Sequence, residues 1–150
     1  MDLRKRNQQA LPLLLVCLFS GCAKGGDIDL RRQIAEKVRI GDGTVVTMNE
    51  LTGYAWSRMH VFSPYTTSAD VERELGFSWR GARRVRIHER DDVALLVFEM
   101  NERVSGYLAH PRGEGDFAGA GRPGGYGPDD AVFVVRMEDQ WPQLIHESQR

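Results

Sequence analysis

The segment VALLVFEM, residues 93–100, constrains the fold of this chain more than any other segment. Eight nearly continuously apolar residues between turn-forming residues predict a central strand. Asp91-Asp92 precedes the segment and Asn101-Glu102 follows it, so the chain is expected to reverse at both ends. Residues 83–90, RRVRIHER, alternate charged and apolar side chains, and residues 103–110, RVSGYLAH, follow the second turn. The pattern therefore predicts an antiparallel meander of three strands.

The segment after Thr67 carries the clearest helix signals. Thr67 can cap a helix, with Asp70 three residues later as in a capping box. Gly76 is well placed to end that helix in a left-handed conformation.

Periodicity predicts four further elements. They are an amphipathic helix over about residues 29–39, a short extended piece over 44–47, a strand over 59–63 and a final strand over 131–137. The sum is an α+β fold: a single small domain over residues 28–150, with one mainly antiparallel sheet of about four to five strands and one or two helices packed on one face.

Residues 1–21 are excluded from that domain, because they have the layout of an export signal. Residues 4–6 are basic, residues 10–19 are apolar, and two small residues precede Cys22. The apolar stretch covers about ten residues, whereas a helix needs roughly 20 to cross about 30 Å of hydrocarbon. A permanent transmembrane helix is therefore not expected here.

Phe19-Ser20-Gly21-Cys22 resembles the lipobox of bacterial lipoprotein precursors, although family members usually carry Leu where Phe19 stands. The resemblance implies that Cys22 is lipidated, with palmitate-type acyl chains, and becomes the mature N-terminus. Residues 22–27 would then tether the domain to the bacterial cell envelope, facing the periplasm. Ala23 resembles the pattern that sorts Gram-negative lipoproteins to the outer membrane. The alternative is an ordinary cleaved signal with a cysteine nearby by chance.

Removal of residues 1–21 would leave Cys22 as the one cysteine of the mature chain. No internal disulfide and no cysteine metal cluster could then form. The mature chain would carry 17 basic and 20 acidic side chains, which gives no electrostatic argument for nucleic acid. No cofactor and no metal site is predicted, since the four histidines lack metal-ligand spacing. These histidines are His60, His88, His110 and His146.

A second resemblance covers roughly residues 45–137. Residues 54–79, YAWSRMHVFSPYTTSADVERELGFSW, are followed by VALLVFEMNERV and HPRGEGDF. This pattern of aromatic-x-Trp, Pro-Tyr-Thr and Leu-Gly resembles a group of small exported bacterial proteins of uncharacterised function. Ser57 departs from the Asp that many of those proteins carry after the Trp. The resemblance implies one compact domain and supplies no catalytic residues.

The densest positive cluster lies in residues 80–90 and supplies the candidate partner-binding residues Arg84, Arg86 and Arg90. On an exposed sheet face these guanidinium groups could bind phosphate, anionic lipid or an acidic protein. Trp56 and Tyr65 are the candidate aromatic contacts of a ligand groove. The alternatives are a solvated strand face balanced by carboxylates, and aromatic residues that belong to the core.

Residues 113–127 contain seven glycines and include the letters G-x-G-x-x-G at 119–124. A dinucleotide site needs that motif between a strand and a helix, and no helix signal follows here. The composition predicts a flexible surface loop, or a loop that closes over a partner.

Two classes of function therefore stay open. One is a membrane-anchored envelope lipoprotein that binds another envelope protein or a glycan without catalysis. The other is a small periplasmic hydrolase whose site is assembled from dispersed His, Asp and Arg residues. Titratable groups that converge on a pocket near a histidine would favour the enzyme, and an open arginine-lined or aromatic face would favour binding.

Overall fold

The computed structural model describes residues 26–149, so the predicted signal peptide at 1–21 and the predicted lipidation site Cys22 lie outside the described residues. The helices in this part of the chain are α1 (Ile28–Ile40), α2 (Met48–Leu51), α3 (Ser68–Leu75) and α4 (Arg80–Val85). The strands are β1 (Val45–Thr47), β2 (Arg58–Phe62), β3 (Val93–Met100), β4 (Arg103–Pro111), β5 (Val132–Glu138) and β6 (Trp141–His146).

The six strands form two antiparallel sheets of three strands each. The first has the order β2-β3-β4 and the second has the order β1-β5-β6. The predicted α+β class with antiparallel pairing is therefore confirmed. The strands differ from the expectation in arrangement, because six strands lie in two sheets rather than four to five in one. None of the helices in residues 26–149 is long and apolar enough to cross a bilayer.

Strand β3 is central, as its apolar run predicts, and it separates two hydrophobic clusters. Ala94, Leu96 and Phe98 point into the first cluster, whereas Val93, Leu95 and Val97 point into the second. Residues of one strand alternate between its two faces, so a strand covered on both sides must be apolar at nearly every position. Within the described residues, both clusters consist of side chains between Leu30 and Leu144.

Helix α1 and the second sheet cover one face of the first sheet, and helices α3 and α4 cover the opposite face. Helix α1 and the β1-β5-β6 sheet contribute Leu30, Ile34 and Phe133 to the first cluster. Helices α3 and α4 contribute residues to the second cluster, among them Val71 and Val85. The apolar stripe of each helix thus meets one face of the β2-β3-β4 sheet.

Local capping explains why α1 and α3 begin and end where they do. The carboxylate of Asp27 accepts from the Leu30 amide at 2.9 Å, and the hydroxyl of Thr67 accepts from the Asp70 amide at 3.1 Å. Gly76 follows α3 with a φ of 80°, in the left-handed region. The predicted cap, capping box and stop of α3 are all confirmed.

The predicted strand at RRVRIHER is wrong. Helix α4 ends within this segment at Val85, and a 3₁₀ turn follows at Ile87–Glu89. Arg86 links the two with a φ of 53°, which a strand does not allow. The alternating charged and apolar residues led to the wrong prediction of a strand. Val85 lies three residues after Ala82, so both can also face the core from one helix. Arg84, Arg86 and Arg90 consequently do not share an exposed sheet face.

Strand β6 and the single-turn helix α2 carry no prediction from the sequence. A tight turn at Asp139-Gln140 joins β5 to β6, and both residues have positive φ values of 46° and 68°. Such a turn matches the twist of a two-residue hairpin, although neither residue is the glycine that usually marks it. Strand β6 completes the second sheet and brings Trp141 to its edge.

Candidate functional site

Tyr65 is held in an exposed position by its backbone. Its φ of 67° lies in the left-handed region that residues other than glycine seldom adopt. The residue is 62% exposed. Its amide donates to the carbonyl of Ile87 at 3.1 Å, just after α4. Ser63 also accepts from the Thr66 amide at 3.3 Å, which closes a turn around Tyr65. The surrounding structure therefore maintains a conformation that costs about 1 to 2 kcal/mol.

Arg112 lies next to one exposed aromatic side chain. Its guanidinium carbon stands 5.8 Å from the ring centre of Trp141, which is 42% exposed. The pKa of Arg112 is raised mainly by its hydrogen bond to Asp116, and Tyr65 is the smallest of the charged-group effects that raise it further. We refer to Tyr65, Arg112 and Trp141 as the aromatic–arginine surface.

The buried carboxylate of Asp116 accepts hydrogen bonds from Arg112 and Trp141 and fixes their positions. Asp116 is 8% exposed and accepts from Arg112 Nε at 3.0 Å, from Arg112 Nη2 at 2.8 Å and from the indole nitrogen of Trp141 at 2.8 Å. The amide of Ala118 donates to it as well, at 2.8 Å. Burial by itself raises the pKa of Asp116, but these hydrogen bonds outweigh burial and the pKa is lowered. Asp116 is therefore ionised at neutral pH and holds Arg112 and Trp141 in place.

The segment that follows α4 accepts hydrogen bonds from both Tyr65 and Arg112. Arg112 donates from its amide to the carbonyl of Asp92 and from Nη1 to the carbonyl of Asp91, both at 2.9 Å. Arg90 pairs with the Asp92 carboxylate at 2.6 Å, and the hydrogen bond that Arg90 donates to Asp92 raises the pKa of Arg90. Of the predicted binding residues, the structure thus brings Tyr65 and Arg90 to one surface.

The other predicted binding residues lie elsewhere. Arg86 pairs with Glu89 at 2.6 Å, and Arg84 is exposed on α4 with no ion pair among the described residues. Trp56 is 4% exposed, donates its indole hydrogen to Thr52 at 2.8 Å and packs in the first cluster. The prediction that Trp56 lines a ligand groove is therefore wrong, because its indole is a core side chain with an internal partner.

The glycine-rich segment 113–127 packs against the first sheet rather than forming a free loop. Phe117 and Tyr126 are buried, and the amide of Tyr126 donates to the carbonyl of Met59 at 2.8 Å. Gly125 approaches the Met59 carbonyl so closely that an added Cβ would lie 2.5 Å from its oxygen. The prediction of a flexible surface loop is wrong here, because several glycines allow close approach to the sheet. No helix follows the G-x-G-x-x-G letters before β5.

Three of the four histidines are buried, and His88 is exposed. His110 is fully buried, and neither of its ring nitrogens has a hydrogen bond of ordinary geometry to a described residue. Burial lowers the pKa of His110 to about 4, against a smaller raising effect from the backbone of Glu114. His60 Nδ1 stands 3.6 Å from Glu74 Oε1 beneath the glycine-rich segment, and burial lowers the pKa of His60.

Among the described histidines, His146 is the one that forms a hydrogen bond with a hydroxyl group. Its Nδ1 lies 2.7 Å from Ser148 Oγ, and its Nε2 lies 2.7 Å from the Asp130 carbonyl and 3.3 Å from the Asp130 carboxylate. Burial lowers the pKa of His146. Ser148 also donates its amide to Nδ1 at 3.3 Å, as expected of a side chain that caps the final 3₁₀ turn. No group of three or more metal-ligating side chains occurs in residues 26–149.

A cavity of about 310 Å³ lies between α3 and the glycine-rich segment, close to His60. Its charged lining residues are Asp70, Arg73, Glu74 and Arg122. Arg73 pairs with Asp70, and Glu74 accepts from the amide of Gly124 at 2.6 Å. These groups mainly neutralise each other or bind the backbone, so they hold the glycine-rich segment against α3.

The sequence does not single out Arg112, Asp116 and Trp141. Asp116 and Trp141 are 25 residues apart and meet because Asp116 bonds to the backbone of β6, through Pro142 and Leu144. The signal available in the sequence was a single tryptophan directly after Glu138-Asp139-Gln140. Comparison of the chain with family models, curated proteins and solved structures finds no match. The resemblance to small exported proteins therefore stays a prediction.

Proposed function

We propose that the protein is a lipid-anchored lipoprotein of the bacterial cell envelope that binds another envelope protein through the aromatic–arginine surface. The proposal joins two independent features. The lipobox-like residues 19–22 support the anchor, and the strained, exposed Tyr65 together with the exposed Trp141 beside Arg112 supports binding. The second observation carries the binding role, because a costly conformation that displays an aromatic ring is typical of functional positions.

The chemistry of this surface suits a protein partner. Tyr, Trp and Arg are the residue types that dominate the binding energy of protein interfaces. All three guanidinium nitrogens of Arg112 already donate within the domain, to Asp116 and to the carbonyl of Asp91. Arg112 therefore offers a flat stacking face beside the ring of Trp141 rather than a free charge for an ion pair. A glycan strand is the other partner that exposed rings can stack on.

The anchor is tested with matched cysteine variants of the full chain in a bacterial host. Cys22→Ser should abolish incorporation of labelled palmitate and release the protein from the membrane fraction. Cys17→Ser should leave labelling and fractionation unchanged, because Cys17 lies in the segment that is removed. Membrane retention of the Cys22→Ser protein would contradict the anchor. Density-gradient separation of the envelope tests the predicted outer-membrane location.

The binding surface is tested by photo-crosslinking in intact cells. A photo-reactive phenylalanine analogue at Tyr65 or at Trp141 should give the same crosslinked protein band. The same analogue at Met137, which is 43% exposed, serves as the matched control and should give no such band. A product sensitive to a glycan hydrolase would identify a glycan partner instead. An identical pattern from all three sites would contradict a specific surface.

A second candidate function rests on the contacts of His146. If Nε2–H donates to Asp130, Nδ1 is left to accept the Ser148 hydroxyl proton, as a general base would. A small hydrolase with Ser148 as nucleophile should react with a fluorophosphonate probe and lose that reaction as Ser148→Ala. Ser105→Ala, at another exposed serine, is the matched control. No labelling of the folded wild type would exclude a fluorophosphonate-reactive serine and leave Ser148 as a cap.

A further inference from the structure

We propose that Arg80, Arg83 and Arg84, the basic face of α4, dock on the anionic phospholipid headgroups of the membrane that holds the lipid anchor. This inference rests on the proposed anchor at Cys22. It concerns a surface other than the aromatic–arginine surface, and it names the phosphate groups of lipids as the ligand.

The three arginines of the basic face have no competing partner among residues 26–149. All three are exposed, and none forms an ion pair or a side-chain hydrogen bond with a described residue. Most other arginines of the described chain do pair with carboxylates. The paired arginines are Arg31, Arg32, Arg73, Arg86, Arg90, Arg112, Arg122 and Arg136. Three unpaired guanidinium groups therefore occupy one turn of one helix.

The packing of α4 points these side chains away from the core. Positions i, i+3 and i+4 share one side of a helix, which puts Arg80, Arg83 and Arg84 together. Ala82 and Val85 lie on the opposite side and are buried in the second cluster. The helix cannot rotate to disperse the charges without exposing those apolar residues.

The start of α4 is held in place by one carboxylate. Glu72 Oε1 accepts from the Trp79 amide at 2.9 Å and from the Ser78 hydroxyl at 3.2 Å. A concavity of about 330 Å³ lies here, lined by Glu72, Ser78, Arg80 and Arg83. Glu72 is engaged by these two donors, so Arg80 and Arg83 stay free to bind an anion at the rim.

Contacts of the first described residues connect the tether to α4. The amide of Asp27 donates to the carbonyl of Tyr107 at 2.9 Å, next to the first described residue. The ring of Tyr107 lies 5.2 Å from the ring of Trp79, the residue that directly precedes α4. Cys22 stands four residues before Gly26, so the extended tether reaches about 14 Å at most. A membrane that holds Cys22 therefore lies within about 14 Å of Gly26, whose neighbour Asp27 is linked to α4 through Tyr107 and Trp79.

Binding to lipid phosphates would depend on the local group of arginines and not on the net charge of the chain. From Cys22 onward the chain has 17 basic and 20 acidic side chains, so its net charge disfavours an anionic membrane. A local group of arginines can still bind headgroups, because guanidinium groups form paired hydrogen bonds with phosphate oxygens. Basic side chains within a Debye length of the bilayer feel its negative surface potential.

The test uses the mature chain from residue 22 with Cys22→Ser, so that acylation does not contribute. We expect it to sediment with phosphatidylglycerol vesicles and not with phosphatidylcholine vesicles. Replacement of Arg80, Arg83 and Arg84 by alanine should lower the partition coefficient roughly a hundredfold, at about fivefold per arginine. The triple lysine variant should retain most of the binding, since it keeps the charges.

The matched control removes the same charge elsewhere. Arg39, Arg58 and Arg103 are exposed and also lack ion pairs within the described residues. Their triple alanine variant should keep vesicle binding within about threefold of the parent, because these residues lie on other elements. Equal losses in the two triple variants would overturn a specific basic face. Competition by inorganic phosphate, but not by chloride of the same ionic strength, would mean that free phosphate is the ligand.

The failure of this inference differs from the failure of the anchor. Vesicle binding of the unlipidated chain, together with unlabelled Cys22 in cells, would contradict the anchor alone. Labelled Cys22, together with equal sedimentation of the parent and the Arg80/Arg83/Arg84 variant, would contradict docking alone. Unchanged circular dichroism of each variant excludes misfolding as the cause of lost binding.

Discussion

Arg112 donates from two nitrogens to the carboxylate of Asp116, across the turn between β4 and the glycine-rich segment. The backbone of Asp116 binds β6 as well, since its amide donates to Pro142 at 2.7 Å and its carbonyl accepts from Leu144 at 2.9 Å. Asp116 therefore connects three parts of the domain and positions the exposed ring of Trp141.

Asp116→Asn should lower the free energy of unfolding at pH 7 by about 2 kcal/mol. The amide keeps the size of the side chain but loses the charge that Arg112 pairs with. The lowered pKa of Asp116 means that wild-type stability from this group is present above about pH 4 and is lost as the pH falls further. Urea denaturation at several pH values measures both effects. Asp129→Asn, at an exposed carboxylate without such contacts, should leave stability unchanged; equal values for both variants would contradict this role.

Gly125→Ala should destabilise the protein by about 2 kcal/mol or more. Gly125 has a φ of 61°, and a Cβ there would clash with the Met59 carbonyl. Gly119→Ala is the matched control in the same segment, because a Cβ at Gly119 meets nothing within 4 Å. Thermal unfolding measures the difference. If both variants melt at the wild-type temperature, the glycine-rich segment does not pack on β2.

Elements with local signals were predictable from the sequence. Helix α3 has its cap, its capping box and its terminal glycine within ten residues, and each signal acts through contacts inside the helix. Strand β3 was predictable because a strand buried on both faces needs a continuous apolar run. In these elements the residues that determine the structure are neighbours along the chain.

Elements that depend on distant contacts were not predictable. The alternation around Val85 fits a strand and a helix equally well, and the second cluster decides for the helix. Tyr65 was identified as a candidate contact, but its strain depends on the turn that Thr66 and Ile87 stabilise. Arg112 and Trp141 meet through a hairpin whose turn lacks glycine, so nothing in the sequence links them.

His110→Leu should remove a pH dependence of stability. His110 is buried with a pKa of about 4, whereas an unfolded histidine has a pKa near 6.5. Because the unfolded chain binds more protons between these values, wild-type stability is full above about pH 6.5 and falls by roughly 3 kcal/mol toward pH 4. Leucine should remove the His110 share of the slope and keep the apolar packing, while His60 and His146, whose pKa values are also lowered by burial, retain theirs. His88→Leu, at an exposed histidine, should keep the wild-type slope in urea denaturation at pH 4.5 to 7.5; a slope in His110→Leu as steep as that of the wild type would assign it to other groups.

Tyr65→Gly should separate stability from binding. Glycine adopts positive φ without the steric cost that tyrosine bears, so the melting temperature should stay equal or rise slightly. The ring is 62% exposed and contributes little to the core, whereas its loss should abolish capture of the partner that Trp141 crosslinks. Tyr65→Phe, which keeps the ring and the strain, should retain capture. A Tyr65→Gly protein that melts well below the wild type would show that the ring stabilises the fold, and unchanged capture would remove Tyr65 from the binding surface.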